Sequence, residues 1–125
     1  MNNKKILLVE DDDISQFLIK KMLENLSLDV TIVSNGIEAL SILSQEKFHL
    51  ILMDIEMPVI SGYETIRRIQ NGDFDQSTKN IPIIGISANP FQNDQHEYLR
   101  QGLSDYIIKP LSQEELSEKI SGLLI

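Results

Sequence analysis

The chain has 125 residues, a formal net charge of −8 and no cysteine. That length suits one compact domain, expected over residues 1–125. The absence of cysteine excludes disulfides, thiolate metal sites and a cysteine nucleophile, and the negative charge argues against a phosphate-backbone footprint, so direct nucleic-acid binding is not expected.

The first segment, Met-Asn-Asn-Lys-Lys, is basic and runs into the apolar stretch Ile6, Leu7, Leu8, Val9, which stops at acidic residues. It is far too short for a signal sequence or a membrane span, and the expectation is a cytoplasmic protein without membrane insertion. Further β-branched or leucine-rich runs follow at residues 30–33, 50–53, 81–86 and 106–108, so residues 6–9 begin a set of five strands. Between them the apolar spacing becomes helical, as in Ile14, Phe17, Leu18 and Met22, in Ile37, Leu40 and Leu43, and in Leu116, Ile120, Leu123 and Leu124. One helix is expected in each gap, and the polar stretch 71–80 is read as a surface loop.

Strands that are apolar on consecutive residues suit a parallel sheet covered on both faces. The expected fold is therefore α/β, a doubly wound (βα)5 flavodoxin-like domain with strand order 2-1-3-4-5. Its crevice lies at the carboxyl ends of strands 1 and 3, where the order reverses.

The residues that follow each strand are Glu10 and Asp11 after the first, Asp54 after the third, Ser87 after the fourth and Lys109 after the fifth. The expected strand order brings three carboxylates, a hydroxyl and an ammonium to one edge. Three carboxylates a few ångströms apart need compensation, which a hard cation such as Mg²⁺ or Mn²⁺ supplies. A metal held by Asp11 and Asp54 leaves one Asp54 oxygen free to act as a nucleophile toward phosphorus. Ser87 and Lys109 are the residue types that receive phosphoryl oxygens, as a neutral donor and a point charge.

Four motifs carry a resemblance: V-E-D-D after strand 1, L-M-D-I-E-M-P-x-x-S-G around Asp54, I-S-A-N after strand 4 and Y-I-I-K-P after strand 5. Jointly they resemble the response-regulator receiver family over nearly the whole chain. The resemblance implies that Asp54 is the phosphoacceptor, Asp11 a direct metal ligand, Glu10 a ligand through water and the Glu56 backbone carbonyl a further ligand. It implies that Ser87 and Lys109 bind the phosphoryl group and that Tyr106 changes rotamer on activation, with the fourth helix, fifth strand and fifth helix forming the responsive surface. It also implies a cis peptide before Pro110. Pro58 and Gly62 are read as shaping the loop after strand 3, while the Glu56 side chain and Asn89 occupy positions that the family pattern leaves open. The implied partners are a histidine kinase or histidine-phosphotransfer domain as donor, and a downstream protein or fused output domain. Residues 83–89 and 102–110 look closest to receivers fused to hybrid sensor histidine kinases.

Plainer readings stand beside these. Asp12 and Asp13 suit a helix cap and first turn rather than a metal. His49 and His96 have no ligand spacing and read as ordinary surface histidines. Two other functions share the ingredients: a haloacid-dehalogenase-type phosphatase, which places its D-x-D nucleophile after the first strand and needs a longer chain, whereas the nucleophile here follows the third, and a degenerate receiver that only binds partners.

Overall fold

The computed structural model describes residues 4–57, 59–88 and 97–124. Its strands are β1 (Lys5–Val9), β2 (Asp29–Val33), β3 (Leu50–Asp54), β4 (Ile83–Ser87) and β5 (Asp105–Ile108). The described helices are α1 (Asp13–Glu24), α2 (Gly36–Leu43), α3 (Gly62–Asn71), α4 (Gln76–Lys79), α5 (Glu97–Arg100) and α6 (Gln113–Leu124). All strand pairs are parallel and the order is β2-β1-β3-β4-β5. The fold is the flavodoxin-like doubly wound sheet that the apolar runs predict.

Alternation along the buried strands divides the core. Leu7, Val9, Ile51 and Met53 face α2 and α3, meeting Ala39, Leu43, Ile66 and Ile69. Ile6, Leu8, Leu50, Leu52, Ile84 and Ile86 face the other way and meet Ile19 and Leu23 of α1 and Leu116 and Ile120 of α6. With both faces covered, every residue of β3 and β4 is buried, which is why these runs carry no polar alternation.

Short polar side chains start the helices. Asp12 accepts the Ser15 N–H at 2.8 Å, Asn35 Oδ1 accepts the Glu38 N–H at 2.9 Å and Ser61 Oγ accepts the Glu64 N–H at 3.1 Å. Each satisfies an amide that the first helical turn leaves open. Asp12 is thus the cap that its sequence position predicts, and Asp13 is the first-turn acid of α1.

Three local expectations are corrected. The stretch 71–80 is not wholly loop: Asp75 caps the single turn α4, so the gap between β3 and β4 holds two helices. A four-residue helix has too few positions to show a periodic apolar face. Strand β4 begins at Ile83 rather than residue 81, because the Ile81 N–H closes the preceding turn on Thr78 O and proline at 82 has no N–H to offer a ladder. Finally, the helical apolar pattern of α1 is a core face only in part: Ile14, Phe17 and Leu18 are 71%, 60% and 51% exposed, while Met22 packs against the core that Ile19 and Leu23 enter.

Candidate functional site

The sheet ladder carries on just past the strands at the edge that matters. Glu10 N donates to Val33 O at 3.1 Å, Ile55 N to Ile86 O at 2.9 Å and Lys109 N to Ser87 O at 2.9 Å. These bonds fix the backbone of the strand-end residues, so Glu10, Asp54, Ser87 and Lys109 leave one rim in neighbouring register. Glu10 is 1% exposed, Asp54 2% and Ser87 3%.

Ligand oxygens of Glu10, Asp11 and Asp54 all lie within 4.8 Å of one another. Lys109 Nζ stands 3.4 Å from Asp54 Oδ2 and 3.9 Å from Glu10 Oε1. The other Asp54 oxygen, Oδ1, accepts the Glu56 N–H at 3.1 Å. Glu10 Oε2 accepts the Asp12 N–H at 3.1 Å, whereas Glu10 Oε1 is buried and has no hydrogen-bond donor among the described residues.

Burial dominates the electrostatics. It pushes the Glu10 carboxyl up to about 7, with the neighbouring Asp54 charge adding to the effect and the Asp12 N–H and Lys109 opposing it. Burial likewise raises Asp54 above the ordinary carboxylate value, against the pull of Lys109 and the Glu56 N–H. Burial works against the Lys109 charge too, but Asp54 and Glu10, and more weakly Glu56, hold it above its ordinary value. One ammonium therefore faces more negative charge than it can balance. A hard divalent cation fits this donor set, since carboxylate oxygens are its preferred ligands and an orphaned buried oxygen waits beside it.

The rim also holds a contact that sequence reading left open. Ser87 Oγ donates to Glu56 Oε2 at 2.5 Å, and the Ala88 N–H donates to Glu56 Oε1 at 3.0 Å. The spacing of two residues after Asp54 hinted that Glu56 faces the site, but only the turn after β3 decides which donors it meets. That turn is closed by Gly62 N donating to Ile55 O at 3.1 Å, and a Cβ on Gly62 would stand 2.8 Å from Asp54 O and from Ile55 Cα. At Gly62 the missing Cβ permits this close approach. Pro58 and Asn89, like His96, lie outside the described residues.

The Lys109–Pro110 peptide is cis. Tyr106 lies three residues earlier on β5, half-buried against the α2–α3 side of the core, with the Lys119 ammonium 5.5 Å from its ring centre. His49 is an exposed residue whose Nδ1 accepts the Lys5 N–H at 2.9 Å, and it takes no part in the rim. Beside Lys109 and Pro110, a groove of about 350 Å³ runs along Ser15, Leu18, Ile19 and Met22 of α1.

Residues 6–121 match the family described as response regulator receiver domain. The chain belongs to that family. It is a receiver domain of two-component signalling, and its relatives agree. It is 28% identical over 116 residues to the sensor protein GacS of Pseudomonas syringae pv. syringae, a match covering 93% of this chain and 13% of that protein. It is 37% identical over 120 residues to the transcription factor SKN7 of Candida albicans, covering 96% of this chain and 21% of that protein. The receiver thus spans a small part of these longer relatives. Among solved structures, the receiver domain of a sensor histidine kinase from Pseudomonas aeruginosa PAO1 superposes with a TM-score of 0.87 at 34% identity over 98% of both chains. That domain was solved with a magnesium ion coordinated in its active-site cleft. The chemotaxis response regulator CheY4 of Vibrio cholerae shares the fold, with a TM-score of 0.86 at 24% identity, covering 98% of this chain and all of that one (100%).

Proposed function

We propose that this chain is a single phosphoacceptor unit of a His-Asp phosphorelay in the cytoplasm, and that Asp54 takes the phosphoryl group. The observation that carries the reading is the placement of the Asp54 carboxylate: at a strand end, 3.4 Å from Lys109 Nζ and clustered with Glu10 and Asp11. Asp11, Asp54 and the Glu56 carbonyl, with Glu10 through water, would hold a Mg²⁺ or Mn²⁺ ion, which would supply positive charge against the carboxylates and the transferring group.

An Asp54 oxygen attacks phosphorus, the P–N bond of a phosphohistidine donor breaks and its electron pair leaves with the imidazole. Lys109 attracts one phosphoryl oxygen as a point charge and Ser87 donates its hydroxyl to another. The donor is a histidine kinase or histidine-phosphotransfer domain, and the exposed apolar side chains Ile14, Phe17 and Leu18 offer it a surface on α1. Ser87 then moves toward the phosphoryl group, Tyr106 turns, and the surface of α5, β5 and α6 shifts between two populations read by a downstream protein or fused output domain. Gly62 and Pro110 hold the loops in shape. The relatives similar to this chain make the receiver of a hybrid kinase the favoured context.

Intact-protein mass after incubation with acetyl phosphate tests the reading. A gain of one phosphoryl group that needs Mg²⁺ and disappears in Asp54→Ala supports it. No gain under any condition replaces it with a receiver that works only as an interaction module.

A further inference from the structure

We propose that the Glu56 carboxylate is an internal stand-in for the phosphoryl group, occupying Ser87 Oγ and the Ala88 N–H until a phosphoryl group displaces it. The inference rests on the reading of Asp54 as phosphoacceptor and deepens it: Glu56 sets how readily the site accepts a tetrahedral oxyanion.

The geometry is that of a bound anion. A carboxylate presents two oxygens, and here each has its own donor: Oε2 takes the Ser87 hydroxyl at 2.5 Å and Oε1 takes the Ala88 N–H at 3.0 Å. A hydroxyl followed by the next backbone amide, one strand from Asp54, is the pair of neutral donors that a phosphoryl group on Asp54 needs for its outer oxygens. The lysine on the far strand feels the same carboxylate, since Glu56 contributes to holding Lys109 above its ordinary value. Glu56 is therefore turned toward the interior of the rim although its residue is exposed and free to leave.

Two costs follow for an incoming phosphoryl group. It must break two hydrogen bonds to a charged acceptor, and its own negative charge must approach while Glu56 is still there. The carboxylate has water to turn into once released, so the contact delays the anion without blocking it.

The test compares wild type, Glu56→Ala, Glu56→Gln, Ser87→Ala and Ser87→Ala with Glu56→Ala, phosphorylated by acetyl phosphate at saturating Mg²⁺ and followed by quenched intact mass. Hydrogen exchange of the Ala88 amide is measured on the unphosphorylated proteins. Glu56→Ala is expected to phosphorylate about fivefold faster or more, since two charge-assisted bonds, discounted for exposure, are worth about that factor. Glu56→Gln, which keeps an acceptor without the charge, falls between them. Without Ser87 the gain from Glu56→Ala shrinks, and the Ala88 amide loses protection when Glu56 is removed. A gain of the same size with or without Ser87 would mean a general charge effect and overturn the contact mechanism, as would an unchanged or slower Glu56→Ala or an unaltered Ala88 amide. If wild type gains no phosphoryl group at all, the Asp54 reading fails first and takes this inference with it.

Discussion

Replacing Glu10 by glutamine should make the metal-free protein more stable at pH 8 and leave it almost unchanged at pH 4.5. Glu10 is 1% exposed, and burial lifts its carboxyl from 4.5 to about 7 in the fold. The folded chain thus holds this proton more tightly than the unfolded chain, so the proton favours folding. The contribution is fully present below about 4.5 and is lost as pH rises through about 7. The separation between those values corresponds to about 3 kcal/mol. Glutamine keeps the shape and the acceptor for the Asp12 N–H but has no charge to desolvate. Urea unfolding in the presence of chelator, from pH 4.5 to 8, reads the difference between the two proteins, in which the titrating groups remote from Glu10 cancel and only Asp54 and Lys109 share in the change. With a slope of about 2 kcal/mol per molar urea, the midpoint of the variant should move ahead of wild type by about 1.5 M across that range. A midpoint difference that stays constant with pH, or moves in favour of wild type, would refute the reasoning. Added Mg²⁺ should then raise wild type at pH 8 more than the variant, because the buried carboxylate acquires the cation it lacks.

Other substitutions probe the scaffold around the site. Gly62→Ala, whose Cβ would stand 2.8 Å from two backbone atoms, should cost about 2 kcal/mol in urea unfolding and slow Asp54 phosphorylation through the displaced turn. Asn35→Ala removes the cap of α2 and should lower stability by about 1 kcal/mol without touching phosphorylation. Val59 has φ of 74° and is 75% exposed, so a branched side chain sits in the left-handed region with little packing to hold it there. Val59→Asn should therefore stabilise by about 1 kcal/mol, read as a raised thermal midpoint.

What the sequence makes legible is governed by how locally each feature is determined. The five strands were legible because β1, β3 and β4 are buried on both faces, and only uninterrupted apolar runs satisfy that. Strand order followed from general topology, and with it the meeting of Glu10, Asp11, Asp54 and Lys109 at one rim. The turn α4 escaped because its signal is a single cap, Asp75, on Thr78 rather than a periodic face. The core face of α1 was obscured because Ile14, Phe17 and Leu18 repeat at helical spacing while pointing to solvent; periodicity reports a stripe, and its direction depends on what it meets. The partnership of Glu56 with Ser87 and Ala88 depends on a turn whose dihedrals no short pattern encodes.

The backbone clamps on Ile55, Lys109 and Glu10 give the rim a division of labour. Asp54 and Ser87 are buried where the strands end, whereas Glu56 rides on an exposed turn just outside the sheet. A chain built this way can change the tempo of its chemistry by one exposed side chain while its architecture stands still. On the proposed role of Glu56, mutation there would retune a clock without rebuilding the clockwork.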